Sequence, residues 1–209
     1  MKVLAIGTHF DDVELGCGGT LLKHISIGDE VDILVVTHSG YIKETEGFER
    51  AKSIAKEEGE KSAHTMGANL YCMDKDPLNL VPTEAFVFEI ERYINKIEPD
   101  RIYTHQPTDT HSDHAAVGTA TLRACRKRKE IFLYRSNWYI IDNSPKDNYY
   151  VDISDFIHKK IELLRIYKTE MEKVDYTWID FVRKQNEAAG ARIYTDAAES
   201  FHIEKQIWI

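Results

Sequence analysis

Short apolar runs recur along the chain, and stretches with helical spacing separate them. The first run, residues 3–7, is continuously apolar and contains β-branched residues, which is typical of a central strand buried on both faces of a parallel sheet. Each of the next runs has the length of a strand. They cover residues 30–38, 69–73, 100–105 and 131–134.

The segments between these runs are predicted to be helices, because their apolar positions have helical spacing. The predicted helices cover residues 13–27, 48–66 and 83–97, and Pro99 closes the last of them because proline cannot continue a helix. A later helix contains Lys160 and Tyr167. Strands that alternate with helices predict a parallel sheet whose connections are right-handed crossovers.

The chain has 209 residues, which is enough for one sizeable hydrophobic core. No stretch rich in Pro, Gly or Ser separates two independent halves. A single domain, residues 1–209, is therefore predicted.

Charge limits the partners of the protein. Lys and Arg number 27 and Asp and Glu number 35, so the net charge is -8. This argues against a nucleic acid or an anionic membrane surface as the main partner. The basic run at residues 123–129 is interpreted as a solvated helix end, where cations suit the dipole, with a phosphate site as the alternative.

The cysteines and the apolar segments bear on the location of the protein. Cys17, Cys72 and Cys125 are widely spaced and form no CxxC pair, so neither a disulfide framework nor a thiolate zinc site is indicated. The apolar run at the N-terminus is too short for a signal peptide, and no later run reaches membrane-spanning length. These features favour a reducing cytoplasm.

A cluster of ligand-type side chains follows the first predicted strand: His9, Asp11 and Asp12. Parallel α/β sheets bind ligands at the carboxyl ends of their strands, and the next helix turns its positive end toward this point. An Asp before a helix is often only an N-cap. However, His9 and Asp12 are three residues apart and can converge on one cation, which leaves Asp11 to face whatever that cation binds.

A second cluster lies in residues 105–118, after the fourth predicted strand. His111 and His114 are three residues apart, so both imidazoles can face one point. Alternatively, Asp109 or Thr110 caps a helix whose first turns expose these histidines. The two clusters follow strands that end at the same sheet edge. A set of His, Asp and His with an open fourth position is the catalytic arrangement of zinc, although iron or cobalt also accepts such ligands.

Two segments carry a family resemblance. HFDDVELGCGGT is similar to the AHPDDxxxGCGGT signature of the LmbE-like or PIG-L-type zinc N-deacetylases, and DTHSDH is similar to their second signature. Lys160 and Tyr167, with Glu199 and Phe201 in the closing AARIYTDAAESF, extend the resemblance over nearly the whole chain. It implies an α/β fold, a Rossmann-like three-layer sandwich with a mostly parallel central sheet.

The resemblance also implies roles for single residues. The metal ligands that it implies are His9, Asp12 and His114. Asp11 becomes the general base, and a protonated His111, backed by Asp113, becomes the acid or oxyanion partner. The implied cofactor is Zn²⁺, with Fe²⁺ or Co²⁺ as alternatives.

The implied reaction removes an N-acyl group, most often N-acetyl, from an amino sugar or glycoconjugate by attack of metal-bound water on the amide. Aromatic and polar side chains are candidate contacts for such a substrate. The first choices are Arg50, Arg135, Trp138 and Tyr139, and further candidates are Tyr41, Asn137 and Arg192. Residues 134–144 are favoured because they follow the fifth strand at the ligand edge.

The sequence departs from the family pattern in places. Phe10 replaces the usual Pro, so an aromatic ring is expected to line the pocket. The next acidic residue stands at Glu14 instead of Val13, which resembles the subgroup that acts on glucosaminyl compounds. Lys56 and Gly59 stand where the family has Arg and Glu, so no role is carried over to them.

Two other functions remain open. A nucleotide-binding Rossmann-type domain would use GCGGT as its phosphate loop, but the spacing is not GxGxxG, and His38 ends the second strand where an acid would bind ribose. A non-catalytic sugar-binding protein with a structural metal would normally supply four ligands, and only three are found.

The last residues are apolar and include Phe201, Ile203, Ile207, Trp208 and Ile209. An exposed apolar segment of this kind predicts a homo-oligomer, as does the family resemblance. The alternative is that this tail packs onto its own domain.

Overall fold

Strands and helices alternate along most of the chain in a computed structural model that describes residues 1–43, 48–137, 139 and 145–208. The strands are β1 (Lys2–Gly7), β2 (Glu30–Thr37), β3 (Tyr41–Lys43), β4 (Phe48–Arg50), β5 (Asn69–Lys75), β6 (Arg101–His105), β7 (Glu130–Tyr134), β8 (Tyr149–Asp152) and β9 (Ala198–Gln206). The helices are α1 (Asp12–Ser26), α2 (Lys52–Met66), α3 (Glu84–Ile97), α4 (Ser112–Ala124), α5 (Ile157–Leu164), α6 (Lys168–Lys173) and α7 (Thr177–Ala191). No described helix has both the length and the apolar character needed to cross a bilayer.

A seven-stranded sheet in the order β5-β2-β1-β6-β7-β9-β8 forms the centre of the molecule. The five strands from β5 to β7 are parallel, whereas β9 is antiparallel to both β7 and β8. The prediction of an α/β fold with a mostly parallel sheet is confirmed. Because β1 and β6 are parallel neighbours, their carboxyl ends lie at one edge of the sheet.

Side chains of the central strands alternate between two cores. In β1, Val3 and Ala5 join a core shared with α1, α2 and α5, and Leu4 and Ile6 join a core shared with α3 and α4. All four are fully buried. A strand covered by helices on both faces needs no polar face, which explains why its sequence is continuously apolar.

The predicted helix at residues 48–66 is wrong at its beginning. β3 and β4 form an antiparallel hairpin, and α2 begins only at Lys52. The hairpin turns Arg50 inward, where its guanidinium contacts the carboxylates of Glu58 and Glu170. These are tertiary contacts, so helical periodicity did not reveal them.

The C-terminal segment mostly packs onto its own domain. β9 pairs with both β7 and β8, Phe201 is fully buried and Ile203 is partly buried. Ile207 and Trp208 are exposed, and Ile209 lies outside the described residues. The homo-oligomer stays a prediction, which light scattering at micromolar concentration would contradict by giving the mass of a monomer.

Phe10 does not line the pocket as expected. Its ring is buried in the core against Gly59 of α2, where an added Cβ would lie 2.2 Å from Phe10 Cδ1. The ring therefore occupies the space that a side chain at Gly59 would need.

The basic run at the end of α4 satisfies backbone carbonyls. Arg123 donates to the carbonyl of Pro82 at 3.0 Å, and Arg128 donates to that of Ile94, in the last turn of α3, at 3.1 Å. These contacts agree with the interpretation of this run as a helix end.

Gly16→Ala should destabilise the protein by about 1–3 kcal/mol, the usual cost of overpacking a core. A Cβ at this position of α1 would lie 2.1 Å from Tyr134 Cδ2, and the Tyr134 hydroxyl donates to the Ile6 carbonyl at 2.8 Å, which holds the ring. The matched control is Gly18→Ala in the same helix, where the nearest atom is 3.6 Å away. This control should be neutral or stabilising by up to about 1 kcal/mol. Urea unfolding midpoints would measure both, and equal effects would contradict the packing described.

Candidate metal centre

Three ligand-type side chains meet at the carboxyl edge of the sheet. His9 lies in the turn after β1, Asp12 is the first residue of α1, and His114 lies in the first turn of α4. His9 Nδ1 is 3.3 Å from Asp12 Oδ2 and 3.3 Å from His114 Nε2. His114 Nε2 is 3.2 Å from Asp12 Oδ1. The strand-end clusters predicted from the sequence therefore lie side by side.

These separations fit a tetrahedral metal ion. Ligands about 2.0–2.1 Å from zinc are about 3.3 Å from one another, and each of the three distances is close to this value, with Asp12 facing His9 through Oδ2 and His114 through Oδ1. Two sets of three donors, one atom from each residue, lie within 4.8 Å of one another among the described residues, namely His9, His111 and His114, and Asp12, His105 and His114. His114 belongs to every one of these sets.

A carboxylate lies behind each of the two histidines. Asp109 Oδ2 is 3.3 Å from His114 Nδ1, and the Asn137 amide donates to both oxygens of Asp109 at 2.8 and 2.9 Å. Asp113 Oδ2 is 3.5 Å from His9 Nε2. Such outer carboxylates fix the orientation and tautomer of metal-binding imidazoles. Each histidine thus presents its other ring nitrogen to the centre.

Asp113 contacts groups different from those expected. Its carboxylate accepts hydrogen bonds from the backbone amides of Leu78 at 2.5 Å and Leu80 at 3.4 Å, and it faces His9 instead of His111. Only its backbone amide reaches His111, donating to Nδ1 at 3.3 Å. The loop after β5 lies near the start of α4, and its amides bind the Asp113 carboxylate, which therefore does not contact the His111 ring.

Asp12 is held by a full set of donors. Its Oδ2 accepts from the backbone amides of His9 at 2.7 Å and Thr8 at 3.2 Å, and its Oδ1 accepts from Ser136 Oγ at 2.8 Å. His105 Nε2 lies 3.3 Å from Oδ2. Both oxygens are therefore fixed in direction.

His105 and Ser136 are site residues to which the sequence analysis gave no role. The His105 ring is fully buried and stacks on His114, with centroids 4.2 Å apart. Its place at the end of the fourth predicted strand was the available signal. Ser136 lies in the favoured segment 134–144, but its contact with Asp12 spans 124 residues of sequence, and no local pattern indicated it.

The electrostatics of the site suit a cation. Burial acts to raise the pKa of Asp12, but the neighbouring His114 and His105 outweigh it and hold this pKa well below its usual range. Burial acts to lower the pKa of His114, but Asp12 and Asp109 outweigh it and raise this pKa to about 10. The carboxylates thus create a negative potential that stabilises positive charge at this point.

Asp11 differs from Asp12 in its backbone conformation and in the direction of its pKa shift. Its backbone φ is 120°, a strained conformation for a residue other than glycine, and such strain often accompanies function. The residue is only 6% exposed. Burial, with the charges of Asp12 and Glu170, raises the pKa of Asp11 well above its usual range, against the opposing effect of Arg50. A carboxyl group of this kind accepts a proton readily.

His111 has the properties of a neutral hydrogen-bond donor. Its Nδ1 accepts the hydrogen bond from the Asp113 amide, so the ring proton of the neutral form lies on Nε2. Burial and the charges of His114 and His9 lower the pKa of His111 to about 4. This is at odds with the protonated imidazole expected from the sequence.

A cavity of about 280 Å³ opens above these residues. Its walls include Tyr41, Arg50, Leu78, Asn137, Tyr139 and Glu170. Four of the candidate substrate contacts thus lie beside the site, namely Tyr41, Arg50, Asn137 and Tyr139. Trp138 lies outside the described residues.

Two candidate contacts lie elsewhere. Arg135 is paired with Asp147 at 3.1 Å beside a separate cavity of about 20 Å³. Arg192 is exposed and donates to the Tyr150 hydroxyl at 3.4 Å. Neither guanidinium lines the cavity of the candidate metal centre, because the acceptors that bind these groups lie on other parts of the surface, and their contact with substrate stays a prediction.

The cavity wall contains a buried polar network. Arg50 binds Glu58 at 3.0 Å and Glu170 at 3.3 Å, and the Tyr41 hydroxyl donates to Glu170 at 2.9 Å. Lys173 donates to the Tyr41 hydroxyl at 2.5 Å. Glu170 and Lys173 come from α6, far along the chain, and no local sequence pattern indicates their place in this network.

Glu14 lies away from the cavity. Its carboxylate accepts hydrogen bonds from Ser62 at 2.5 Å and from Tyr167 at 2.7 Å, between α1 and its neighbouring helices. The glycines of GCGGT also lie inside α1, where Gly16 is packed against Tyr134. A helix interior cannot act as a phosphate loop, so the nucleotide-binding function is not favoured.

The fold and the donor set define an α/β protein with a candidate histidine-carboxylate metal centre at the carboxyl edge of its sheet. The profile of the PIG-L family, described as GlcNAc-PI de-N-acetylase, matches residues 4–125. The chain therefore belongs to the PIG-L family of deacetylases.

Relatives agree with this assignment. A protein named uncharacterized deacetylase YaiS, from Escherichia coli K12, is 34% identical over 151 residues, covering 65% of this chain and 75% of the relative. A diacetylchitobiose deacetylase from Thermococcus kodakarensis is 28% identical over 202 residues, covering 87% and 75%. The structure of N,N'-diacetylchitobiose deacetylase from Pyrococcus horikoshii superposes with a TM-score of 0.83 at 23% identity, covering 97% of this chain and 83% of that one. This last comparison establishes the shared fold.

Proposed function

We propose that this protein is a zinc-dependent N-deacetylase that hydrolyses the N-acetyl group of an amino sugar or glycoconjugate. The observation that supports it best is the close approach of the His9, Asp12 and His114 side chains, each pair of which has ligand-type atoms 3.2–3.3 Å apart, beside a cavity that Asp11 also lines. The protein's membership of a deacetylase family supports the reaction class.

The proposed metal ligands are His9, Asp12 and His114. Their spacing and residue types suit Zn²⁺, and Fe²⁺ or Co²⁺ are alternatives because imidazole and carboxylate discriminate weakly. When bound, such an ion polarises the amide carbonyl and lowers the pKa of water. Asp109 and Asp113 orient the two imidazoles from behind.

Asp11 is the proposed general base. It takes a proton from the attacking water as the new C–O bond forms on the carbonyl carbon. His111 donates a hydrogen bond through Nε2–H to the oxyanion, an interaction typically worth about 3–4 kcal/mol per well-placed donor. The C–N bond then breaks and Asp11 returns the proton to the leaving nitrogen, which gives the amine and acetic acid; the acid passes its proton, the second proton of the attacking water, to the amine or to solvent and leaves as acetate.

The cavity wall suits sugar hydroxyl groups. The charge of Arg50 is compensated by Glu58 and Glu170, so the network offers polar groups without an excess of positive charge. Tyr139, 54% exposed at the rim, offers a ring on which a sugar can stack. The named activity of the Thermococcus relative makes N-acetylglucosamine oligomers the first substrates to examine.

The proposed activity is tested with protein stripped by chelator and reloaded with zinc. N-acetylglucosamine, diacetylchitobiose and N-acetylglucosaminides with larger aglycones are screened for release of free amine and of acetate in equal amounts. Release that depends on zinc supports the proposal. Substrate binding without amine release would favour the sugar-binding protein with a structural metal.

Asp109→Asn should weaken zinc binding by about 10–100-fold, the usual effect of losing an outer-sphere partner. The carboxylate contacts His114 Nδ1 and lies outside the donor set, so stoichiometric binding should survive at high zinc concentration. Competition with a fluorescent chelator measures the affinity. Unchanged affinity would contradict the proposed role of Asp109.

A further inference from the structure

A buried ion pair lies beneath α1, away from the cavity. Lys160 Nζ of α5 is 2.6 Å from Glu199 Oε1 of β9, and each side chain is only 1% exposed. Burying two charges is costly, and apolar residues of similar volume are often equally stable or more stable. Stability alone is therefore a weak explanation for this pair.

The pair binds the backbone of α1 directly. Glu199 accepts from the amide of Gly19 at 2.9 Å and from that of Thr20 at 2.6 Å, while Lys160 donates to the carbonyl of Leu15 at 2.9 Å. In an uninterrupted helix, the amide of residue 19 donates to the carbonyl of residue 15. α1 is a continuous helix from Asp12 to Ser26, so the ion pair contacts both groups of one of its hydrogen bonds.

Gly19 lets α1 approach the segment before α5 closely. A Cβ at Gly19 would lie 2.7 Å from Ile153 Cδ1. Glycine is a poor helix former, so this part of α1 depends on its tertiary contacts. The ion pair supplies some of them.

We propose that Lys160 and Glu199 are positioning residues that set the place of the first turn of α1. This turn begins at Asp11 and Asp12, and the carbonyl bound by Lys160 belongs to Leu15, three residues further on. A displaced helix would separate Asp12 from His114, which is carried by α4. The catalytic part of this inference depends on the proposed function, whereas the placement of α1 does not.

The test is the double variant Lys160→Met/Glu199→Met. Both side chains keep their approximate length, the Leu15 carbonyl and the Gly19 amide remain partners within the helix, and no buried charge is left unpaired. Zinc affinity should fall about tenfold or more, as for loss of an outer-sphere partner. We expect kcat to fall similarly with KM nearly unchanged, while the melting temperature stays close to that of the wild type.

Hydrogen exchange in the metal-free protein gives a readout that needs neither substrate nor zinc. Amides in residues 9–20 should exchange about tenfold faster in the double variant, because local opening depends on local contacts. Amides of α3, which packs on the other face of the sheet, should not change. A folded double variant with wild-type exchange, zinc affinity and kcat would overturn the proposal.

Lys160→Met/Glu199→Gln covers the case in which the double Met variant does not fold, since Gln keeps an acceptor for the two backbone donors and no buried charge is left unpaired. Loss of folding in both variants would also overturn the proposal, because the pair would then serve the fold itself. The matched control removes the partly buried pair Arg101 and Glu130, which joins the amino ends of β6 and β7 at 2.7 Å. Replacing both with Met should leave zinc affinity and the exchange of α1 unchanged.

The two proposals can fail separately. If the wild type releases no amine from any N-acetyl sugar, the proposed function fails, while the exchange of α1 still decides the positioning role. If activity is found and the double variant retains it fully, only the positioning role fails.

Discussion

Asp11→Asn is expected to lower kcat about a hundredfold to ten-thousandfold, the range typical of a lost general base, while bound zinc is retained. Asn has the shape of Asp but cannot accept the proton of the attacking water. It is also among the residues that best tolerate positive φ, so the strained backbone at this position should persist. Steady-state kinetics and metal analysis of the same preparation measure both quantities.

Glu14→Gln is the matched control for this substitution. It changes a second buried acid of α1 to its amide, but Glu14 is bonded to Ser62 and Tyr167 away from the cavity. Most of the activity should remain in this variant. Near-native turnover of Asp11→Asn, with zinc bound, would require another base, and a loss in Glu14→Gln would point to Glu14.

The convergence of His9, Asp12 and His114 was predictable because it depends on local features. His9 and Asp12 follow the end of β1 within five residues, His114 lies in the first turn of the helix after β6, and parallel neighbouring strands end at one edge of a sheet. The sequence indicates both strands and the helices that follow them, so the sheet edge brings the two clusters together.

The residues behind the ligands were less predictable. The direction of the Asp113 carboxylate is set by the amides of Leu78 and Leu80, in a loop whose path the sequence pattern does not determine. Arg135 and Asn137 follow the same strand, yet only Asn137 reaches the site. Beyond the end of β7 the strict alternation of a strand no longer decides which way a side chain points.

Packing between distant segments explains other differences between the sequence-based predictions and the structure. Phe10 was expected in the pocket because it follows His9, but the missing side chain at Gly59 leaves room for its ring in the core. Glu170 reaches Arg50 from a short helix more than a hundred residues later. Such pairs become visible only when the two segments are brought together.

His114→Ala is expected to abolish stoichiometric zinc binding and, with it, amine release. The affinity should fall by more than the about 10–100-fold loss typical of an outer-sphere partner, because a ligand itself is removed. His114 belongs to every set of donors found among the described residues, so this outcome does not depend on which set binds the ion. Metal analysis after dialysis measures the bound zinc, and retention of one equivalent would contradict the site.

His111→Ala distinguishes between the possible ligand sets. If His9, Asp12 and His114 bind the ion, this variant should keep its zinc and lose activity, because only the donor to the oxyanion is removed. If His111 is itself a ligand, zinc should be lost as in His114→Ala. The exposed His64 of α2 provides the control, since His64→Ala should change neither zinc content nor turnover.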